Sequence, residues 1–202
     1  MNEPALIASA REGDLDAFNT LVLAYQHHVY NLAYRIMGDE ASAADATQEA
    51  FISAYKHMES FRGDSFKSWM FRIVTNACYD ELRRRKRRPA ASLEGLVEDT
   101  DTEIEYDIPD ASDSPEAHAE RRELAQVIQS GIETLPPDQR ITLVLSDVQD
   151  MSYEEIAAIT GANLGTVKSR LSRARAKLRD YLLASGELSS GSLRLRTGQE
   201  AQ

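Results

Sequence analysis

The sequence predicts an all-α protein made of two small helical domains joined by a flexible acidic linker. Three observations carry that prediction. Apolar residues recur at helical spacing in both ends of the chain, with no alternating strand pattern. Between those ends, residues 90–115 hold nine acids and no base, with Pro109, Pro115 and several serines among them. Toward the C-terminus, residues 152–184 read as a helix, a tight turn and a second helix with one apolar and one basic face.

In the first part of the chain the periodicity predicts helices near 4–12, 14–37, 41–58 and 66–86. They are broken at Gly13-Asp14, at Gly38-Asp39 and at Phe61-Arg62-Gly63-Asp64. All five Phe and the single Trp lie before residue 72, which gives this domain the richer core or an aromatic binding surface. The third helix, within DATQEAFISAY, sets Asp45, Gln48, Glu49 and Ile52 on one face and turns Ala50, Phe51, Ala54 and Tyr55 inward. Carboxylates repel phosphate, so this mixed face suits a protein partner, or is simply a solvated helix side.

The fourth helix carries two stories. Phe71, Val74, Cys78 and Leu82 form an apolar stripe. On the other side stand Trp69, Ile73, Asn76, Asp80 and Arg83, with Arg72 beside them. An indole, an amide and guanidinium groups in a row suit stacking on, and hydrogen bonding to, unpaired bases. Trp69 taken alone reads equally well as a core residue. The helix runs into six consecutive bases, Arg83 to Arg88, the composition of a phosphate contact.

The formal net charge of −10 argues against nucleic acid until it is located. The nine acids of residues 90–115 account for nearly all of it. A segment of that composition buries too little apolar surface to fold alone and reads as an extended linker over 89–115. It is either a passive spacer or an anionic strand that screens the basic faces. Domains of about 1–88 and 116–184 flank it, and residues 185–202, polar and rich in Gly and Ser, read as a disordered tail.

Local chemistry fixes the second domain's last two helices. Ser152 with Glu155 makes a capping box, Gly161 stands where a left-handed residue closes a helix, and Asn163 caps the next one. At 100° per residue, Val167, Leu171, Ala174, Leu178 and Tyr181 share one stripe. Opposite lie Ser169, Ser172, Arg173, Ala176 and Arg179, flanked by Thr166 and Lys168. Short side chains let such a helix sink into a major groove, and Lys and Arg around them reach guanine edges or phosphates. The alternative is a solvated basic face. Arg170 falls at the core boundary.

Other classes find little support. One cysteine excludes a disulfide framework and a Cys-rich zinc site, and the four His show no ligand spacing beyond an adjacent pair. No catalytic constellation, metal site or cofactor motif is expected. There is no apolar run of membrane-span length, and MNEPALIASAREGD does not read as a signal peptide, so a soluble intracellular protein is expected.

Three long words occur in order: FNTLVLAYQHHVYNLAYRIMGDEASAADATQEAFISAYKHMESFRGD, FKSWMFRIVTNACYDELRRRKRRP and LPPDQRITLVLSDVQDMSYEEIAAITGANLGTVKSRLSRARAKLR. Together they resemble the group IV, extracytoplasmic-function (ECF) sigma factors of the bacterial sigma-70 family. The resemblance implies that the first domain is sigma region 2, the second sigma region 4, and the protein a cytoplasmic specificity factor without catalysis of its own. It implies core RNA polymerase (clamp helices and flap), promoter DNA and an anti-sigma factor as partners. Neither membrane insertion nor a homo-oligomer is required, although a partner could hold the protein at a membrane.

Carried over residue by residue, Asp45, Gln48, Glu49, Phe51 and Ile52 would dock on the polymerase clamp helices. Phe61, Arg62, Trp69, Arg72, Asn76, Arg83 and Arg84 would meet the −10 element. Thr166, Lys168, Ser169, Arg170, Ser172 and Arg173 would lie in the −35 major groove. The sequence departs from the family pattern in a short FRGDSFKSW loop, in Ser172 where some relatives carry a bulky aromatic, and in the longer acidic linker. Two rival classes would use the same residues differently. A stand-alone helix-turn-helix repressor would need a dimer interface, and no heptad seam is visible. A helical enzyme would lean on Asp45 and Glu49, which no His or Cys joins.

Overall fold

The computed structural model describes residues 2–63, 65–87 and 115–185, so the linker and tail assigned to 89–115 and 185–202 lie almost wholly outside the described residues. The helices are α1 (Glu3–Arg11), α2 (Leu15–Met37), α3 (Glu40–His57) and α4 (Phe66–Arg87). After the linker come α5 (Pro115–Glu133), α6 (Pro137–Leu143), α7 (Tyr153–Thr160) and α8 (Leu164–Ala184). A 3₁₀ turn at Met58–Ser60 follows α3, and a π turn at Val144–Val148 continues α6. No strand occurs among the described residues.

Short-range chemistry starts and stops these helices. The Asp14 carboxylate accepts from the backbone N–H groups of Asp16 and Ala17 at 3.0 and 3.1 Å, and Asp39 accepts from Ser42 at 2.8 Å. Each satisfies donors that the first turn cannot pair internally. Gly38, at φ 85°, closes α2 in the left-handed region and returns its N–H to Tyr34. The Ser152–Glu155 capping box is complete, Gly161 is left-handed at φ 67°, and Asn163 accepts from Thr166 at 2.8 Å.

Packing then sorts the faces. On α3 the buried positions are Ala43, Ala46, Ala50 and Ala54. A stripe with no side chain beyond a methyl lets α3 lie close against its neighbours. Phe18, Leu21, Val29, Leu32 and Ile36 of α2 and Phe66, Met70, Phe71, Val74 and Cys78 of α4 complete the first core. The second core gathers Ile132, Ile141, Leu145, Ile156, Val167 and Leu171. Each such side chain contributes about 1.5–3 kcal/mol of burial.

The two domains touch along a seam. Helix α2 packs on α5, α6 and the π turn, while α4 packs on α6 and α7. Arg140 of α6, 8% exposed, reaches across and donates to the Ile36 carbonyl at 2.7 Å. A guanidinium thereby caps the C-terminus of α2, where the helix dipole favours positive charge. At Gly38 an added Cβ would lie 2.6 Å from the Glu133 carboxyl group, so the domains approach closely there.

A candidate promoter and polymerase interface

Helix α8 presents the simplest surface. Val167, Leu171 and Ala174 are buried, which turns Lys168, Ser169, Ser172 and Arg173 outward together. Thr166 is half-buried at the edge. Among the described residues neither Lys168 nor Arg173 is in an ion pair, whereas Arg175 is held by Asp147 at 2.6 Å and Arg179 by Asp180 at 2.8 Å. Two unneutralised cations beside two serines form a convex, basic, sterically open ridge. Such a ridge can enter a major groove. Arg170 differs from the rest of its expected set. Its side chain is turned back to pair with Asp138 at 2.6 Å, as its place at the core boundary on the helical wheel suggests.

The region around α4 is organised differently. Arg72 and Asn76 are exposed. Trp69 is half-buried, with its ring 4.8 Å from Phe61 and 5.7 Å from Phe66, and Phe66 in turn lies 5.3 Å from Tyr25. Phe61, at the start of the loop, is only 4% exposed and packs into the aromatic cluster. The reason is physical: a ring at the mouth of a loop gains more by joining three other aromatics than by standing in water. Arg62 folds back to donate to the carbonyls of Glu59 and Phe61 at 2.6 and 3.0 Å. Arg83 lies over the Tyr79 ring at 5.5 Å and near Asp80, and Arg84 pairs with Glu81 at 2.7 Å. These exposed pairs are weak and can be exchanged for phosphate contacts.

On α3, Asp45, Gln48, Glu49 and Ile52 are exposed side by side, Ile52 by 48%. Phe51 is half-buried against the core and lies beneath that face rather than on it, as the inward assignment from the helical wheel requires. The face is mixed acidic, amide and aliphatic.

Several ionisable groups report local geometry. Hydrogen bonds from the Ser152 backbone and hydroxyl hold the Glu155 carboxyl below its usual range. Burial raises Asp39, but bonds from Ser42 and Arg85 outweigh it and the carboxyl ends below its ordinary value. Burial pushes the Cys78 thiol up to about 12. The seam residues Tyr79, Gln129, Asp138 and Arg140 escaped the sequence reading. Asp138 sits in the first turn of α6, where an acid is ordinary helix chemistry, and nothing local in the sequence announces its partners.

A basic, open ridge on one helical domain, and an aromatic and amide face beside a mixed acidic helix face on the other, define a bipartite all-α protein with separate basic and acidic surfaces. The description Sigma-70 region 2 matches residues 21–88, and Sigma-70, region 4 matches residues 125–178. The chain is 39% identical over 176 residues to the ECF RNA polymerase sigma-E factor of Escherichia coli strain K12, across 87% of this chain and 91% of that one. It is 37% identical over 175 residues to the ECF RNA polymerase sigma factor SigE of Mycolicibacterium smegmatis, and spans 65% of that protein's length. Among solved structures it resembles CnrH in complex with the cytosolic domain of CnrY (TM-score 0.62, 28% identity, 89% of this chain and 96% of that chain). It also resembles the sigma factor RpoE in complex with the anti-sigma factor NepR from Bartonella quintana (TM-score 0.63, 26% identity, 84% and 98%). The chain belongs to the ECF RNA polymerase sigma factors, a family of transcription initiation factors.

Proposed function

We propose that the protein docks on core RNA polymerase, reads the −35 duplex with the second domain and captures unpaired −10 bases with the first. The observation that carries this reading is the α8 ridge of Lys168, Ser169, Ser172 and Arg173, open to solvent and unneutralised within the described residues. Thr166 and Arg170 extend that surface at its edges. The face of Asp45, Gln48, Glu49 and Ile52, stiffened by Phe51 below it, docks on the clamp helices, and the second domain meets the flap.

On the −10 side, Arg72 and Asn76 contact bases directly, and Arg83 and Arg84 exchange their intramolecular partners for phosphate. A flipped base enters beside Trp69 by displacing Phe61, with Arg62 releasing the loop. Extruding a base costs a few kcal/mol, which stacking and hydrogen bonds offset. Duplex opening then follows from binding alone, so no catalytic residue, metal or cofactor is assigned. Among the described residues no helix is long and apolar enough to cross a membrane, which fits action in the cytoplasm. The relatives solved with anti-sigma partners support control of this chain by a protein of that kind.

The test is co-migration of the purified protein with bacterial core polymerase on a native gel, beside a Gln48→Ala/Glu49→Lys variant. The wild type should form the complex and the variant should lose it. Absence of any complex, with tight binding to a palindromic duplex as a dimer, would replace this reading with a stand-alone repressor.

A further inference from the structure

We propose that the Asp138 carboxylate is a latch that keeps the two domains closed in the free protein and withholds Arg170 from duplex DNA until they part. The Arg170 half of this inference rests on the −35 reading given above; the closure does not.

Asp138 serves two partners from different domains. One carboxylate oxygen accepts from the Tyr79 hydroxyl of α4 at 2.8 Å. The other accepts from Arg170 of α8 at 2.6 Å. Tyr79 also lies under the Arg83 guanidinium at 5.5 Å. One carboxylate therefore links a −35 candidate to a −10 candidate through a single ring. Burial and the bond to Asp138 raise the Tyr79 pKa, so the hydroxyl remains a donor throughout the physiological range.

Beside its apolar packing the seam carries further polar contacts. Arg140 caps α2 at the Ile36 carbonyl, and its guanidinium is further satisfied by the carbonyls of Glu133 and Leu135 within its own domain. Arg35 donates to Gln129 at 3.2 Å, and Ser68 to Glu155 at 3.3 Å. Directional bonds of this kind define one closed arrangement. They can also be exchanged for water, unlike an apolar interface of equal size.

Distance makes the closure consequential. Elements centred near −10 and −35 lie about 25 base pairs apart, roughly 85 Å along B-DNA. The closed body is roughly 40 Å across by the usual scaling of compact chains. It cannot reach both elements at once. The 27 residues joining Arg87 to Pro115 can extend to about 90 Å, so the chain permits the separation that the seam resists. The α3 docking face is exposed in the closed form, so polymerase can engage the first domain before the second is released. Asp138 itself touches no base. It is a positioning residue that acts through Arg170.

The test measures interdomain distance by single-molecule energy transfer, with dyes on Lys56→Cys in α3 and Lys177→Cys in α8. Both positions are exposed, and Cys78, the only native cysteine, is buried. The free wild-type protein should be predominantly in the short-distance population. Tyr79→Phe keeps the ring and the Asp138–Arg170 pair but removes the crossing hydroxyl. It should raise the open-to-closed ratio about ten- to a hundredfold, the effect of one hydrogen bond to a charged acceptor on a two-state equilibrium. A free wild type that is already open, or a Tyr79→Phe population equal to wild type, overturns the latch. A second arm measures binding of the free proteins to a −35 duplex. Asp138→Asn should bind more tightly than wild type, and adding Arg170→Ala should cancel the gain. Unchanged binding by Asp138→Asn overturns the withholding of Arg170. The first arm contains neither polymerase nor DNA, so it judges closure even if the sigma-factor reading fails.

Discussion

The two surfaces proposed to meet DNA are built in opposite ways. On α8 the outward residues Lys168, Ser169, Ser172 and Arg173 are exposed on a helix whose other side is buried, and among the described residues neither cation is in an ion pair. Around α4, by contrast, Phe61 is buried, Trp69 is wedged among rings, and Arg62, Arg83 and Arg84 are occupied by nearby protein groups. The difference teaches what each surface is prepared for. A duplex groove has a fixed shape and can be met by a rigid ridge. An unpaired base must be given a slot, and under the proposed function that slot is the one the protein's own aromatics fill in this structure.

The largest expected effect breaks the aromatic side of the comparison. Phe66 is fully buried beneath Phe61 and Trp69, so Phe66→Ala should cost about 3–5 kcal/mol in urea unfolding. Next comes the separation of the two readings in the polymerase-bound protein. Arg173→Ala should weaken −35 duplex binding by about 1–3 kcal/mol and leave binding of a single-stranded −10 oligonucleotide unchanged. Trp69→Ala should do the reverse, by about 1–3 kcal/mol per lost stack. Equal losses on both ligands from either variant would show that the surfaces do not work separately.

A smaller effect is expected from Ser152→Ala, which removes the capping box at the start of α7. It should lower stability by about 1 kcal/mol, measured as a shift in the denaturant midpoint. The pH dependence has a defined sign. The folded protein holds Glu155 below its ordinary value of 4.5, so its contribution is present above that pH and is lost as pH falls through the lowered folded value. Stability should therefore decline on acidification below about pH 4.5, and less steeply in Ser152→Ala, when followed by melting across that range. The smallest expected effect is near silence. Cys78 is buried with its thiol raised to about 12, so a thiol reagent at pH 8 should label it only when the protein is unfolded.

Much of the fold was legible because its signals are local. Asp14, Asp39, Ser152 and Asn163 are capping residues within a few positions of the donors they satisfy, so the helix starts could be read one by one. The outward faces of α3 and α8 followed from a 100° rotation per residue. The seam was not legible. Asp138 meets Tyr79 59 positions away, and Arg140 meets Ile36 104 positions away. Neither pairing leaves a trace in nearby sequence, since a buried arginine in a list of residues looks like any solvated one. The burial of Phe61 was not legible for a related reason, because the rings that surround it come from α2 and α4.

The alanine stripe of α3 carries a consequence for how this protein can change over generations. Its inner positions, Ala43, Ala46, Ala50 and Ala54, set the spacing of the bundle, while Asp45, Gln48, Glu49 and Ile52 are exposed. Substitutions on the outer side therefore change the chemistry offered to the proposed partner without disturbing the volume of the core. Substitutions on the inner side push helices apart at the first added methylene. A lineage can explore new docking specificities on this helix one residue at a time while the scaffold beneath it stays put.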